Sequence, residues 1–505
     1  MPIHAAALHP AELGQKRFGD AQANRSEWAQ TQLAGPRFPS FGRSTGRNDR
    51  DRADMSATST PATTGKSSSL ARNSAISLAV RLLAAISGLL VTTLITRTLE
   101  PAAAGSYFIM FSFCSIGAIV IGCGVNLSVV RLVSESMALG RPAQARGAVR
   151  MVLQLLASAS LLFAAVLLLP PVRELMAVLL KFSPDGLLLV LLVAWTVGLA
   201  LQSVLAESFR GLQDIFRASV YGGLCTSALC LTALGLAALY SVPTLRQTIT
   251  LVAVATLLAV LICSLALRRA LRRLPTSEMP GWRHLLTLSL PLWGINLLLV
   301  VLTQADLWIL NQLADSADVA LYGAASRLTQ LLTLPLLVLN SALIPMISEQ
   351  HALGQHARLQ SLLRDSAALA ALPAIAALVL FAVAGPLLLE LFFGGNYRGA
   401  HAVLLILGAG QCINVLCGSG GYTLMMTGHQ RDMLWITVFS GALLIPLGFV
   451  LGDWLGPCGV ALGVAIALAT QSVAMCICVK KRLGLVTVAS LQGMLHPLQT
   501  LKRLL

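Results

Sequence analysis

Three charged side chains stand inside long apolar runs, and these are where chemistry has to be sought first. Arg81 lies about two helical turns into the first run, Asp306 near the far end of the seventh, and Arg327 about two turns into the eighth. A charged group at the centre of a bilayer costs roughly 2.5–3.5 kcal/mol on insertion scales, so such groups face a partner or a wet cavity. Asn126, Asn296 and Gln304, with Gln202 and Asn340, are their uncharged companions. The planar guanidinium fork of arginine suits a phosphate, so Arg81 and Arg327 point to an anion held inside a membrane protein. Arg81 has a blander reading as well, snorkelling to the nearer interface. Two readings also stand for Asp306 and Arg327: a mutual salt bridge across the hairpin of spans seven and eight, or Arg327 turned into a central cavity to bind an anion. On the second reading Asp306, Asn296, Gln304 and Asn126 join the two arginines as substrate-binding candidates.

No recognisable catalytic signature accompanies them. The chain lacks a Walker A sequence and an HExxH, and no apolar run carries a G-x-S-x-G, so neither nucleotide hydrolysis nor a cofactor is called for and the expectation is a non-enzyme. The "GCG" at Gly122 to Gly124 and the "GSGG" at Gly418 to Gly421 fall in apolar runs and read as close-packing or kink positions. The ten cysteines show no metal spacing, and they read as small core residues. The histidines read as surface residues.

The elements that must position these groups follow from composition. Of 505 residues, 56% are hydrophobic and 11% charged. A soluble domain carries roughly a quarter charged residues, so this chain cannot cover a water-facing surface. Apolar segments of about 20 residues, enough to cross a bilayer as helices, recur from Ser77 onward. Their spacing predicts twelve spans, near 76–97, 105–130, 149–169, 186–206, 218–240, 248–267, 285–310, 319–345, 365–384, 400–424, 433–452 and 457–479. The stretch Gly385–Gly399 reads either as a re-entrant or interfacial segment or as the end of a span.

The net charge of +15 is a matter of orientation and not of nucleic acid. Loops after even-numbered spans hold most of the arginines, among them Arg141, Arg146, Arg150, Arg268, Arg272 and Arg358. Loops after odd-numbered spans hold few, such as Arg97, Arg173 and Arg398. Both tails are basic, so both termini are expected in the cytoplasm. Residues 1–70 read as a disordered cytoplasmic tail. Within it, 1–54 is either dispensable or a start-site artefact, since Met55 offers a shorter beginning. Residues 483–505 read as an amphipathic cytoplasmic tail. The basic linker Arg268–Arg283 is expected to lie on anionic lipid headgroups.

The chain repeats itself. "SESMALG" (Ser134 to Gly140) and "SEQHALG" (Ser348 to Gly354) follow spans two and eight, on the same face. "EPAAAGSY" (Glu100 to Tyr107) lies over "DSADVALY" (Asp315 to Tyr322) at a closely similar offset, and Arg150 lies over Arg364. Two units of six spans in the same orientation, residues 71–275 and 276–482, make a parallel repeat, an architecture of transporters with the substrate site at the repeat interface. Prolines inside spans bend helices, and Pro335 and Pro345 on span eight, with Pro291 on span seven, are the hinge candidates.

The runs "TLITRTLEPAAAGSYFIMFSF" and "VNLSVVRLVSESMALG" resemble the opening of the polysaccharide, or oligosaccharide, flippases of the multidrug, oligosaccharidyl-lipid and polysaccharide exporter superfamily. So do "QADLWILNQLADSADVALYGAASRLTQLLTLPLLVLNSALIPMISEQ", "FFGGNYRGAHAVLLILGAGQ" and "GPCGVALGVAIAL" in the second half. The resemblance covers about residues 71–480. It implies an all-α polytopic membrane protein, two six-helix bundles in a V shape, in a bacterial inner membrane. It also implies the cargo, an undecaprenyl-pyrophosphate-linked oligosaccharide moved from the cytoplasmic to the periplasmic leaflet, with other polysaccharide-assembly membrane proteins as partners. Two rival functions stay open: a cation-coupled drug exporter of the same superfamily, and a membrane polymerase or acyltransferase. The first would favour acidic cavity residues, of which Asp306 is the one deep example. The second would need a sizeable outer loop, which the spacing of the spans does not leave.

Overall fold

A computed structural model describes residues 64–497 and 500, apart from 183 and 276–280. Every element in it is a helix, as a bilayer demands of a chain whose backbone groups must be satisfied within each segment. The first bundle comprises α1 (Thr64–Thr98), α2 (Pro101–Gly122), α3 (Val125–Ala138), α4 (Pro142–Leu167), α5 (Pro170–Leu180), α6 (Gly186–Gly211), α7 (Ile215–Tyr240) and α8 (Leu245–Arg272). The second comprises α9 (Trp282–Leu313), α10 (Ser316–Ala352), α11 (His356–Phe393), α12 (His401–Cys417), α13 (Gly420–Met426), α14 (Gln430–Leu455), α15 (Pro457–Leu483) and the short α16 (Leu491–Leu495).

Ten helices among the described residues are long and apolar enough to cross a membrane. The apolar stretch Leu82–Thr98 of α1 and the 37-residue α10 complete twelve crossings. The face on which α1 begins and α15 ends is called proximal below, and the opposite face distal.

Local chemistry sets the helix ends. Proline stands at the start of α2, α4, α5 and α15, where its missing N–H costs no bond. Asp185 accepts the Leu188 amide at 3.1 Å at the start of α6. Thr244 and Gln247 exchange hydrogen bonds in a capping box at the start of α8.

Three crossings are interrupted. Span two breaks between α2 and α3, where Cys123 (φ 45°) and Gly124 (φ 73°) are left-handed. A side chain at Gly124 would also meet the Ser289 carbonyl at 2.3 Å, so α9 packs directly on this break. Span five carries a π-helical turn at Val220–Leu224, where the Gln202 side-chain amide donates to the Tyr221 carbonyl at 3.2 Å. Span ten breaks between α12 and α13 at Gly418. Both glycine clusters singled out in the sequence are thus breaks.

One open reading is decided and one expectation is revised. Gly385–Gly399 is not a re-entrant segment: α11 continues as helix through Pro386 to Phe393, and a 3₁₀ turn, Gly395–Ala400, leads into α12. The first helix begins at Thr64, inside the stretch read as tail. After α15 the chain folds back on the second bundle. The Ala489 amide donates to the Leu416 carbonyl at 2.9 Å, Thr487 is buried, and the only helix before residue 497 is α16.

The bundles meet where the repeat places equivalent helices together. Gly105 of α2 lies against α10, and an added Cβ would fall 1.7 Å from the Ser316 carbonyl oxygen. Gly323 of α10 lies against α2, where the same atom would fall 2.6 Å from the Phe108 ring. Small residues on both helices let the backbones approach, the usual device for helix contact in lipid.

Candidate functional site

Two cavities flank α10. The first, of about 320 Å³, belongs to the first bundle except for one wall. Thr92 of α1, Tyr107 and Phe111 of α2, Trp195 of α6 and Thr256 of α8 line it, and α10 closes it with Arg327 and Gln330. Its aromatic residues are packed as a unit: Tyr107 stacks on Trp195 with centroids 5.7 Å apart, and Phe111 tilts against Trp195 at 5.8 Å. The Arg327 guanidinium carbon sits 5.2 Å from the Phe111 ring centroid, a cation–π contact. Arg327 makes no ion pair or hydrogen bond with a described residue, and no carboxylate lines the cavity. This is a cation, carried in by the second bundle, in an aromatic and hydroxyl-bearing chamber of the first.

The second cavity, of about 300 Å³, lies wholly within the second bundle. Thr303 and Asp306 of α9, Ser326, Thr329 and Gln330 of α10, Gln411 of α12, Thr437 and Ser440 of α14 and Gln471 of α15 contribute its polar atoms. The Tyr322 hydroxyl donates to one Asp306 carboxylate oxygen at 3.0 Å, and the Leu307 amide donates to the other at 2.8 Å. The Gln471 amide donates to the Thr437 hydroxyl at 3.1 Å. Gln330 borders both cavities.

The salt bridge between Asp306 and Arg327 does not form. Successive residues of a helix point about 100° apart. Tyr322, Ser326 and Thr329 occupy the face of α10 toward α9 and the second cavity, and Arg327, one step on from Ser326, faces α2. The two charges therefore border different chambers, although they sit on one hairpin.

The remaining sequence candidates scatter. Asn126 and Asn296 meet in a small pocket beside the α2–α3 break, with Gly122, Gly124 and Ser203. There the Asn296 side-chain nitrogen is buried without a partner among the described residues. Gln304 lines none of these cavities. Arg81 lies on α1, but its side chain falls outside the described residues, as do those of Pro291 in α9 and Pro345 in α10. Pro335 lies within α10, partly buried. The residues that sequence reading passed over are the aromatic walls, Tyr107, Phe111 and Trp195, and the glutamines Gln330, Gln411 and Gln471. An apolar run offers no sign of which of its aromatics face a cavity. The glutamines carry a signal, a polar amide within a span, the same that marks Gln202 and Gln304.

The bundles are also joined on both sides of these cavities. Toward the distal face Arg97, at the end of α1, donates to the Phe392 carbonyl at 3.2 Å and to the Leu391 carbonyl at the end of α11. Asn311 of α9 donates to the Leu179 carbonyl at 3.0 Å, and Lys181 to the Ala314 carbonyl at 3.2 Å. Toward the proximal face the Ser289 hydroxyl donates to that of Ser128 at 2.8 Å, and the Trp293 indole to the Ile119 carbonyl at 3.1 Å.

Twelve crossings in two like-oriented bundles, with polar chambers on either side of a shared helix, define a membrane transporter. A family model described as "Polysaccharide biosynthesis protein" matches residues 70–351, and one described as MatE matches 291–450. The chain belongs to the polysaccharide biosynthesis protein family, within the superfamily of multidrug, oligosaccharidyl-lipid and polysaccharide exporters. Similar solved structures include an inward-facing multidrug resistance MATE family transporter (TM-score 0.66, 15% identity, covering 81% of this chain and 98% of that one). They include the lipid II flippase MurJ in an inward closed conformation (0.63, 14%, 84% and 90%). An outward-facing MATE family transporter is less close (0.56, 16%, 82% and 95%). No curated protein sequence matches the chain.

Proposed function

We propose that the protein is a flippase. It moves an undecaprenyl-pyrophosphate-linked oligosaccharide from the cytoplasmic to the periplasmic leaflet of a bacterial inner membrane, with both termini in the cytoplasm. The observation that carries this is Arg327 in the cavity of the first bundle, without an ion pair or hydrogen bond to any described residue. A pyrophosphate cannot enter hydrocarbon unaided, and a guanidinium with no ion pair or hydrogen bond to a described residue is available to neutralise it. The cavity is small beside a glycan of several sugars, so it is the seat of the charged head, while the polyprenyl chain stays in lipid. Arg81, on the helix that lines the same chamber, is a second cation for the same anion. The two sets of contacts between bundles, distal and proximal, are the gates that alternating access opens in turn, with Pro335, Pro345 and Pro291 as hinges. The family's description and the likeness to a lipid II flippase support this reading.

A second reading rests on Asp306. A carboxylate in a polar chamber of the second bundle suits a coupling cation or a cationic drug, and the likeness to MATE transporters supports it. One experiment separates the two. In a strain lacking the gene, lipid-linked glycan on the cytoplasmic leaflet is measured with wild type, Arg327→Ala or Asp306→Asn restored at equal protein level. The flippase reading expects accumulation that wild type cures and Arg327→Ala does not. An absence of accumulation, with new sensitivity to cationic drugs that depends on Asp306, overturns it in favour of the exporter.

A further inference from the structure

A third cavity lies away from both chambers, on the side of the first bundle. It is a groove of about 800 Å³ between α4 and α8, floored by α6. Arg146, Arg150, Arg268 and Arg272 line it, and no lining residue is acidic. The periodicity explains why they converge. Arg146, Arg150, Leu153 and Ala157 follow one face of α4, and Ser264, Leu267, Arg268, Leu271 and Arg272 follow one face of α8.

The groove is graded along the membrane normal. All four arginines sit at the proximal ends of their helices, in the first turns of α4 and the last turns of α8. Deeper, the walls lose their charge and turn mostly apolar: Leu153 and Ala157 with Gln154 on α4, Leu201 and Leu205 on the floor, and Leu267 with Ser264 on α8. From Arg150 to Ala157 the rise is about 10 Å. One arginine is already used, since Arg146 donates to the Leu274 carbonyl at 2.9 Å beyond the end of α8. Arg150, Arg268 and Arg272 are exposed and make no ion pair or hydrogen bond with a described residue. Three guanidinium groups without a partner among the described residues, above a mostly apolar slot, match an amphiphile with an anionic head and a hydrocarbon tail.

We propose that this groove is a binding site for an anionic phospholipid of the surrounding bilayer. Its phosphate is held by Arg150, Arg268 and Arg272, and one acyl chain lies along Leu153, Ala157, Leu201 and Leu205. The site is separate from the Arg327 cavity and does not rest on the flippase reading. A lipid here bridges the ends of α4 and α8 and so ties the start of the linker between the bundles to the membrane.

The test is native mass spectrometry of the full-length protein, released from nanodiscs of phosphatidylcholine with phosphatidylglycerol. Wild type is expected to retain one phosphatidylglycerol in preference to phosphatidylcholine. The triple variant Arg150→Ala, Arg268→Ala, Arg272→Ala is expected to bind it about a hundredfold more weakly, at roughly a fivefold loss per charge near the surface. Ala157→Trp, which fills the slot without touching a charge, keeps the protein correctly folded if the triple variant is not, and is expected to lower retention as well. Arg327→Ala is expected to leave retention unchanged. Equal retention of the two lipids by wild type, undiminished retention in both groove variants, or loss on Arg327→Ala alone would each overturn the assignment.

Discussion

The Arg327 guanidinium lies 5.2 Å from the Phe111 ring centroid, so a residue of the second bundle forms part of the cavity of the first. Any movement of one bundle against the other must move this cation relative to its aromatic support. A cation–π contact contributes about 0.5–2 kcal/mol. Phe111→Leu is therefore expected to reduce transport between about twofold and thirtyfold at unchanged protein level. Arg327→Lys keeps the charge but not the planar fork, and is expected to fall between wild type and Arg327→Ala. On the flippase reading, glycan export in a complemented deletion strain reads all three. Wild-type export by Phe111→Leu would remove the ring from any role in holding the cation.

The bond from Tyr322 to Asp306 is a separate matter, one of stability. Tyr322 is fully buried and its hydroxyl donates at 3.0 Å. Removing a donor to a buried carboxylate costs roughly 1–3 kcal/mol. Tyr322→Phe is expected to lower the unfolding midpoint in detergent, and to do so much less in an Asp306→Asn background, where the acceptor is weaker. Equal losses in the two backgrounds would show that the ring, and not the bond, carries the effect.

How far these features were legible in the sequence depends on what the bilayer forces. Crossings are forced by hydropathy, so the twelve spans and the repeat could be read directly. The packing of Gly105 and Gly323 could not, although "EPAAAGSY" holds Gly105 and "DSADVALY" holds the Ser316 it packs on and stops one residue short of Gly323. The depth of Arg327 was legible, but its direction was not. A hairpin lets residues at matching depth pair or diverge, and only the rotation of α10, fixed by Tyr322 on Asp306, sends Arg327 toward α2. The return of the tail onto Leu416 was invisible as well. It answers to a carbonyl near the break at Gly418, which the tail's own residues do not reveal.

The crossing of α2 and α10 leads to a packing prediction. A Cβ on Gly105 would sit 1.7 Å from the Ser316 carbonyl oxygen, which is backbone and cannot turn aside. Gly105→Val is expected to destabilise the protein by about 3 kcal/mol, at the upper end for overpacking, and to abolish accumulation in the membrane. Gly235, within α7, has open space at the same test distance. Gly235→Ala is expected to be neutral or to stabilise by up to about 1 kcal/mol through helix propensity. Membrane yield and thermal unfolding of the pair measure this. Normal accumulation of Gly105→Val would mean that the bundles separate at this crossing without cost.

On the distal face, Arg97 closes the end of one bundle onto the end of the other. The last carbonyls of α11 have no partners within their own helix and carry the negative end of its dipole. The guanidinium supplies donors to Phe392 and Leu391 and a positive charge at the same place. The contact is exposed, so water screens much of its strength. A shift of about tenfold in the balance between closed and open distal states is a reasonable magnitude, equivalent to about 1.4 kcal/mol. Tyr240 at the distal end of α7 and Trp454 at that of α14 are 89% and 78% exposed and belong to different bundles. Spin labels at these positions, in a background without other reactive cysteines, report the opening as a distance distribution. Arg97→Ala is expected to move population to longer distance, whereas Ser289→Ala, which removes a proximal hydrogen bond, is expected to move it the other way. Identical distributions in all three proteins would sink the idea that these contacts are opposed gates.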